Sequence, residues 1–392
     1  MGEGLARLAA QQPFRQAVAD LTFFWGVEVS EATARRHAEA TGTAYLELQT
    51  AELERLERGL APTMTPAAAV TVQQVSADGA MVALVGGTWT EVKTLVVGAV
   101  ATTPEHDGTP GARAVDLSYF SRRADAAAFT RHATVELARR GTEHAAVVVG
   151  VMDGAPWLKG FLDYHRPDAV RILDFPHAVE HLASAAQATF GVGTPQATAW
   201  LDTQAHDLKH TGPDSILVAL RQLPVQQAHD PTAARAARDA TLGYLEARRA
   251  QLAYPTFRAD GYPIGSGAVE SANKTVVEAR LKGSGMHWAP NHVNPMLALR
   301  TIACNRRWAE AWPAICAHLR AQHHRRRLAR HRARHPLPSP TPPTALPMAQ
   351  LPPPVSPTTT PRPKTIVNGR PTAAHPWRRL GSFSRRSTPP KI

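Results

Sequence analysis

At 392 residues and 43% apolar content, the chain can hold one large or two ordinary domains around a real core. A formal net charge of +12 suits a polyanionic partner such as DNA or RNA. Only Cys304 and Cys316 are present, which excludes a disulfide framework or a Cys-rich zinc ribbon; with neither a leader pattern nor an apolar run of about 18 residues, a cytosolic protein that does not enter a membrane is expected.

From Pro13 the pattern predicts a helix to Phe24, a break at Gly26, Ser30 as N-cap, and a second helix ending at Gly42. This is a helix-turn-helix outline, with Arg35 and Arg36 in the first turns of the second helix, the part that reaches bases in such motifs. Plain helical packing gives the same letters. An amphipathic helix follows over 45–60, with Leu46, Leu53, Leu56 and Leu60 near one face. From Ala69 the period changes to that of strands: one strand to Leu84, a Gly86-Gly87 turn, and a second over 88–100 form a long hairpin. A third strand over 112–120 precedes a helix that stops at Gly141. The Val-rich run "HAAVVVGVMDGA" is a strand buried on both faces that ends at Asp153-Gly154. A short helix over 157–164, a brief strand "AVRIL" ending at Asp174, and another helix follow. Residues 195–262 are helical, interrupted at Pro213, Pro224 and Pro231. "GYPIGSGAVESANK" then opens a helix after a Gly-Ser-Gly turn.

Three carboxylates stand where backbone geometry exposes them. Asp78 lies in the first strand beside Gly79, Asp153 closes the Val-rich strand, and Glu270 sits in the first turn of a helix, where the dipole favours an anion. Convergent carboxylates suit hard cations such as magnesium, with manganese as a substitute. Two such ions about 4 Å apart assist in-line displacement at phosphorus. Each residue also has a plainer explanation. Asp-Gly pairs mark turns, and Glu270 has Lys274 four residues on, as Glu278 has Lys282. A further cluster, "RILDFPHAVEHL", contains His177-Ala-Val-Glu180-His181, which matches the H-x-x-E-H pattern of one class of zinc peptidase.

The blocks "ADGAMV", "GTWTEVKTLVVG", "VVVGVMDGAPWL", "RILDFPHAVEHL", "PIGSGAVESANK" and "RLKGSGMHW", in this order from about Ala69 to Trp312, resemble bacterial insertion-sequence transposases of the DDE type. The resemblance implies an α/β fold: a ribonuclease-H-like mixed sheet flanked by helices, with an all-α insertion at 195–262 and the N-terminal helix-turn-helix. It implies Asp78, Asp153 and Glu270 as metal-holding catalytic acids, although Asp174 also closes a strand and is an alternative to Asp153. An acid, two spacers and a histidine occur after the fifth strand in Mutator-like and hAT-like relatives, which places Asp174 and His177 beside the metals. Lys274, Arg280 and Lys282 are expected to hold phosphates. Trp288 is expected either to stack on a base or to belong to the core.

The expected organisation is a helical DNA-binding region over 1–66, a first core part over 67–194, the insertion, a second core part over 263–320, and a basic, Pro-rich, unfolded tail over 321–392. The implied activity is cutting and joining of double-stranded DNA, at the ends of the element and in the target, by a dimer or larger assembly in the bacterial cytoplasm, associated with the nucleoid. Longer relatives carry further DNA-binding sequence in front, so the chain is read as a shortened copy. A catalytically inactive DNA-binding derivative and a zinc peptidase on His177 and His181 are the rival expectations.

Overall fold

Residues 72–83, 89–104 and 110–122 form a three-stranded antiparallel meander, and two short apolar strands extend it on the other side. The computed structural model describes residues 1–104, 110–334, 366–367 and 370–371. The strands are β1 (Val72–Ala83), β2 (Trp89–Pro104), β3 (Pro110–Arg122), β4 (Val147–Met152) and β5 (Val170–Leu173). Their order is β3-β2-β1-β4-β5; β2 is antiparallel to both β1 and β3, and β4 runs parallel to β1 and β5. Gly86 and Gly87, both at positive φ, make the tight β1–β2 connection.

The pleat sends alternate residues to opposite faces, and helices cover both. Val75, Ala77, Leu95, Val97 and Phe120 pack under α4 (Ala126–Arg139) and α5 (Pro156–His165) through Phe129, Leu137, Leu158 and Phe161. On the opposite face, Val149, Val151 and Ile172 bury against α6 (Phe175–Phe190) and the helical segment α7 (Pro195–His210), α8 (Pro213–Arg221), α9 (Pro231–Glu246) and α10 (Tyr254–Ala259). Pro195, Pro213 and Pro231 prove to be first-turn residues of α7, α8 and α9, where the missing N–H costs nothing. The element order from β1 to α6 is the one expected from sequence, and the fold is a mixed α/β sheet flanked by helices.

The remaining helices are α1 (Gly2–Gln11), α2 (Phe14–Trp25), α3 (Glu31–Glu57), α11 (Gly267–Ala272), a π-helical stretch (Asn273–Glu278), α12 (Ala279–Leu281), α13 (Pro290–Cys304) and α14 (Trp308–Arg334). Ser30 caps α3 through its side chain, which accepts from the Thr33 amide, and Gly26 closes α2 in the left-handed conformation, as the letters indicate. Two boundaries differ from expectation. The helix after Ser30 does not stop at Gly42 but continues to Glu57, because Gly42 lies at a crossing: a Cβ there would fall 2.1 Å from the Pro295 carbonyl oxygen of α13. The supposed tail starts as helix, since α14 runs to Arg334 through a stretch of Ala, Leu and Arg with no Gly or Pro before Pro336.

The N-terminal helices share one interior with the helices after α11. Ala6, Ala9, Ala38 and Ala44 pack with Val276, Leu297, Leu299 and Ile302. Small residues let α1 and α3 approach closely. Residues 1–330 form one unit and 331–392 another; from Pro336 onward only Ile366–Val367 and Arg370–Pro371 are described, paired antiparallel, and the rest of the expected tail lies outside the described residues.

Candidate active site

The register of the sheet aligns three aspartates. Gln74 is level with Val149, and carrying that register four residues along both strands brings Asp78 level with Asp153 on the same face. Val151 is level with Ile172, so two residues further Asp153 is level with Asp174. The β1–β4 ladder itself stops at Val75 and Gly150, and beyond it the two strands are free to part. Helix α11 covers the same face: Val269 and Ala272 pack on Val96, which sits opposite Ser76 of β1.

Asp78 is not a turn residue. It is in the interior of β1, opposite Thr94, and a Cβ on the neighbouring Gly79 would displace the tip of the Glu91 side chain, 2.3 Å away. The Gly79 amide donates to Asp78 Oδ1 (2.6 Å) and Asn273 Nδ2 donates to Oδ2 (2.8 Å). Burial raises the Asp78 pKa, the nearby charges of Asp153 and Glu270 raise it further, and the two hydrogen bonds oppose them. Asn273 is 6% exposed, and its Oδ1 is a buried oxygen without a partner. It belongs to the π-helical stretch that starts three residues after Glu270, and such segments recur at functional sites. Sequence reading passed over Asn273; its only signal was the three-residue spacing from Glu270.

Asp153 follows the last residue of β4, and its Oδ1 accepts from the Ala155 amide at 2.9 Å. Glu270 is exposed in the first turn of α11 and does not pair with Lys274, whereas Lys282 does pair with Glu278 at 2.7 Å. Asp174 is different in kind. It is 4% exposed and caps α6; Oδ2 accepts from the His177 amide (3.2 Å) and Oδ1 from the Ser266 amide (2.6 Å). Burial raises its pKa, those amides oppose the rise, and Glu270 adds to it. Between the two strand-end aspartates, Asp153 is therefore the one with an uncommitted carboxylate oxygen. Asp174 ties β5, α6 and the turn before α11 together.

His177 and His181 do lie on one face of α6, with ring centroids 5.0 Å apart. The His177 Nδ1 is 3.3 Å from Glu180 Oε2, and His181 lies flat against Tyr244 at 3.8 Å. Burial lowers the His181 pKa, with the His177 and Arg248 charges in support. Among the described residues no group of three His, Cys, Asp or Glu side chains stands close enough to hold a metal ion.

The residues expected to touch DNA separate into two sets. Arg35, Arg36 and Lys274 are exposed; Arg35 lies 3.7 Å from Glu39. Arg280 and Trp288 are internal, 2% and 7% exposed, so the expected phosphate and base contacts give way to packing roles. Arg280 Nε donates to the Ala9 carbonyl at the end of α1 (2.9 Å), and its guanidinium is flanked by Phe14 and Trp288. Burial lowers its pKa to about 10, with Arg300 close by. Arg300 in turn donates to the Ala10 carbonyl (3.0 Å), and Trp288 Nε1 donates to the Leu281 carbonyl (3.1 Å). Arg280→Ala should lower unfolding stability by about 2–4 kcal/mol, since it leaves a cavity and an unpaired helix-end carbonyl. Denaturant titration measures this.

Among known proteins, no protein-family model and no curated protein matches the chain. Among the described residues no helix is long and apolar enough to cross a membrane.

Proposed function

We propose that the chain is a divalent-cation-dependent DNA transposase of the DDE type with a ribonuclease-H-like core. The observation that carries this reading is that the charges of Asp153, just past the end of β4, and Glu270, on the helix laid over this face, both act on Asp78 in β1. A mixed sheet with a meander over β1–β3, β4 and β5 parallel to β1, and a helical segment between β5 and α11 supports the core assignment.

The donor chemistry fits a hard cation. The leading charges acting on Asp78 and Asp174 are carboxylates, with no Lys or Arg among them, and the unpartnered Asn273 Oδ1 adds a neutral oxygen at the same place. Asp78, Asp153 and Glu270 would hold magnesium or manganese, the acids drawing together on binding. The bound cation would neutralise the carboxylates and favour a nucleophilic oxygen. Asn273 orients the Asp78 carboxylate, and Asp174 fixes the junction from which His177 projects. In the reaction, water attacks phosphorus at the element's end, a P–O bond forms, the bond to the 3′ oxygen breaks, and the freed 3′-hydroxyl repeats the displacement on target DNA. Arg35, Arg36, Lys274 and the exposed arginines of α14 supply phosphate contacts. Two copies on paired DNA ends are the expected assembly.

The direct test is incubation of DNA carrying the element's own ends with wild type and Glu270→Ala, with magnesium and with chelator. Wild type should nick only with the cation, and the variant should bind DNA without nicking. Salt-sensitive binding with no cation-dependent nicking by either protein would instead identify a non-catalytic DNA-binding derivative.

A further inference from the structure

Past Met152 and Leu173 the strands β4 and β5 have ended, and the carbonyls that follow need donors from elsewhere. The helical segment supplies them. From the end of α9, Tyr244 Oη donates to the carbonyl of Asp153 itself. One turn later, Arg248 Nη2 donates to the Gly154 carbonyl at 2.8 Å, and its Nη1 returns to the Tyr244 carbonyl at 3.1 Å. The Arg248 guanidinium lies 3.9 Å from the centre of the Tyr244 ring, and His181 of α6 stacks on that ring at 3.8 Å and 19°. The phenol is thus held in a three-layer stack and aimed at one backbone atom.

Two further details match. Gly154 has φ +78°, and a Cβ there would stand 2.6 Å from Arg248 Nε and 2.7 Å from Tyr244 Oη, so the turn is shaped to admit these side chains. A second phenol repeats the device on the next strand: Tyr254, fully buried, donates to the carbonyl of Leu173, immediately before Asp174, at 2.9 Å.

We propose that the helical segment over 195–262 is a clamp on the acids at the strand ends, with Tyr244 and Arg248 as positioning residues that set the backbone carrying the Asp153 carboxylate. Neither touches the reacting atoms. Its consequence for cation affinity rests on the reading of Asp153 as a ligand. Side chains that orient a ligand without binding the metal commonly govern affinity to this degree.

Tyr244→Phe tests the clamp because it retains the stack and removes only the donated hydrogen bond; Arg248→Met is the second variant, for use if the first fails to fold. Hydrogen exchange at the amides of 152–155, the thermal midpoint, Mn2+ affinity by calorimetry, and DNA affinity are measured on the full chain. The expected result is about tenfold faster exchange confined to 152–155 and Mn2+ binding weakened about tenfold, with the midpoint within a few degrees of wild type and DNA affinity unchanged. Exchange equal to wild type at 152–155, or raised uniformly over 195–262, overturns the clamp; locally faster exchange with unchanged Mn2+ affinity upholds the clamp and overturns the reading of Asp153 as a ligand. A wild type that binds no Mn2+ overturns the cation reading instead, and the exchange pattern still decides whether the turn is clamped.

Discussion

Asp78→Asn is expected to reduce cation-dependent DNA cleavage by on the order of 10³-fold or more while raising the thermal midpoint at neutral pH. The two effects share one cause. Asp78 is a partly buried acid whose charge is disfavoured by burial and by Asp153 and Glu270. An amide keeps the shape, still accepts from the Gly79 amide, and can donate to Asn273 once that side chain turns its unpartnered Oδ1 inward. The folded-state pKa is raised above the unfolded value, so the native wild type holds its proton more tightly and loses stability as pH rises from the unfolded value through the folded one. The advantage of the variant is therefore present at pH 7 and vanishes below about pH 4, where the acid is protonated in both states. Melting curves between pH 4 and 8 in chelator check the stability arm, and cleavage with magnesium checks the other. Cleavage equal to wild type would remove Asp78 from the site.

Gly42→Ala is expected to destabilise the protein by about 2 kcal/mol or more, although alanine is the better helix former. The propensity gain is about 1 kcal/mol. Against it stands a methyl placed 2.1 Å from the oxygen and 2.6 Å from the carbonyl carbon of Pro295, both backbone atoms that move only if α3 and α13 separate. Gly160→Ala is the control: it is an exposed position inside α5 with no atom within 4 Å of the added Cβ, and a gain of up to about 1 kcal/mol is expected. Denaturant midpoints of the two variants should move in opposite directions. A Gly42→Ala midpoint above wild type would mean that the crossing is looser than the geometry says.

The contrast between these two glycines explains what sequence reading can and cannot reach. A glycine that ends a helix and one that admits a neighbouring helix look alike locally, and Gly42 was taken for the first when it is the second. The change from a 3.6-residue to a two-residue period at Ala69, and the Val-rich run before Asp153, need no distant partner to be recognised, and β1 to β5 follow them closely. Strand ends located Asp153 and Asp174, the Asp-Gly pair within the first strand located Asp78, and carrying the strand register onward brings the three level. Their different duties were invisible, because the amides of His177 and Ser266 that engage Asp174 come from opposite sides of the 195–262 segment. Arg280 misled for the same reason, since a cation suggests a phosphate until its partner, the end of α1, is known, whereas Trp288 falls on the core side of its two expectations. Tyr244, Arg248 and Asn273 act through contacts with residues far away in the chain, and periodicity carries no trace of such choices.

The two guanidinium groups that receive the end of α1 carry a lesson for re-engineering. Ala9 and Ala10 offer their carbonyls to Arg280 and Arg300 deep inside the molecule, so the front helices are a keystone rather than an interchangeable cassette. Replacing them with an unrelated helical segment would strand two cations in an emptied interior. Substitutions confined to the outer faces of α2 and α3 leave that interior intact.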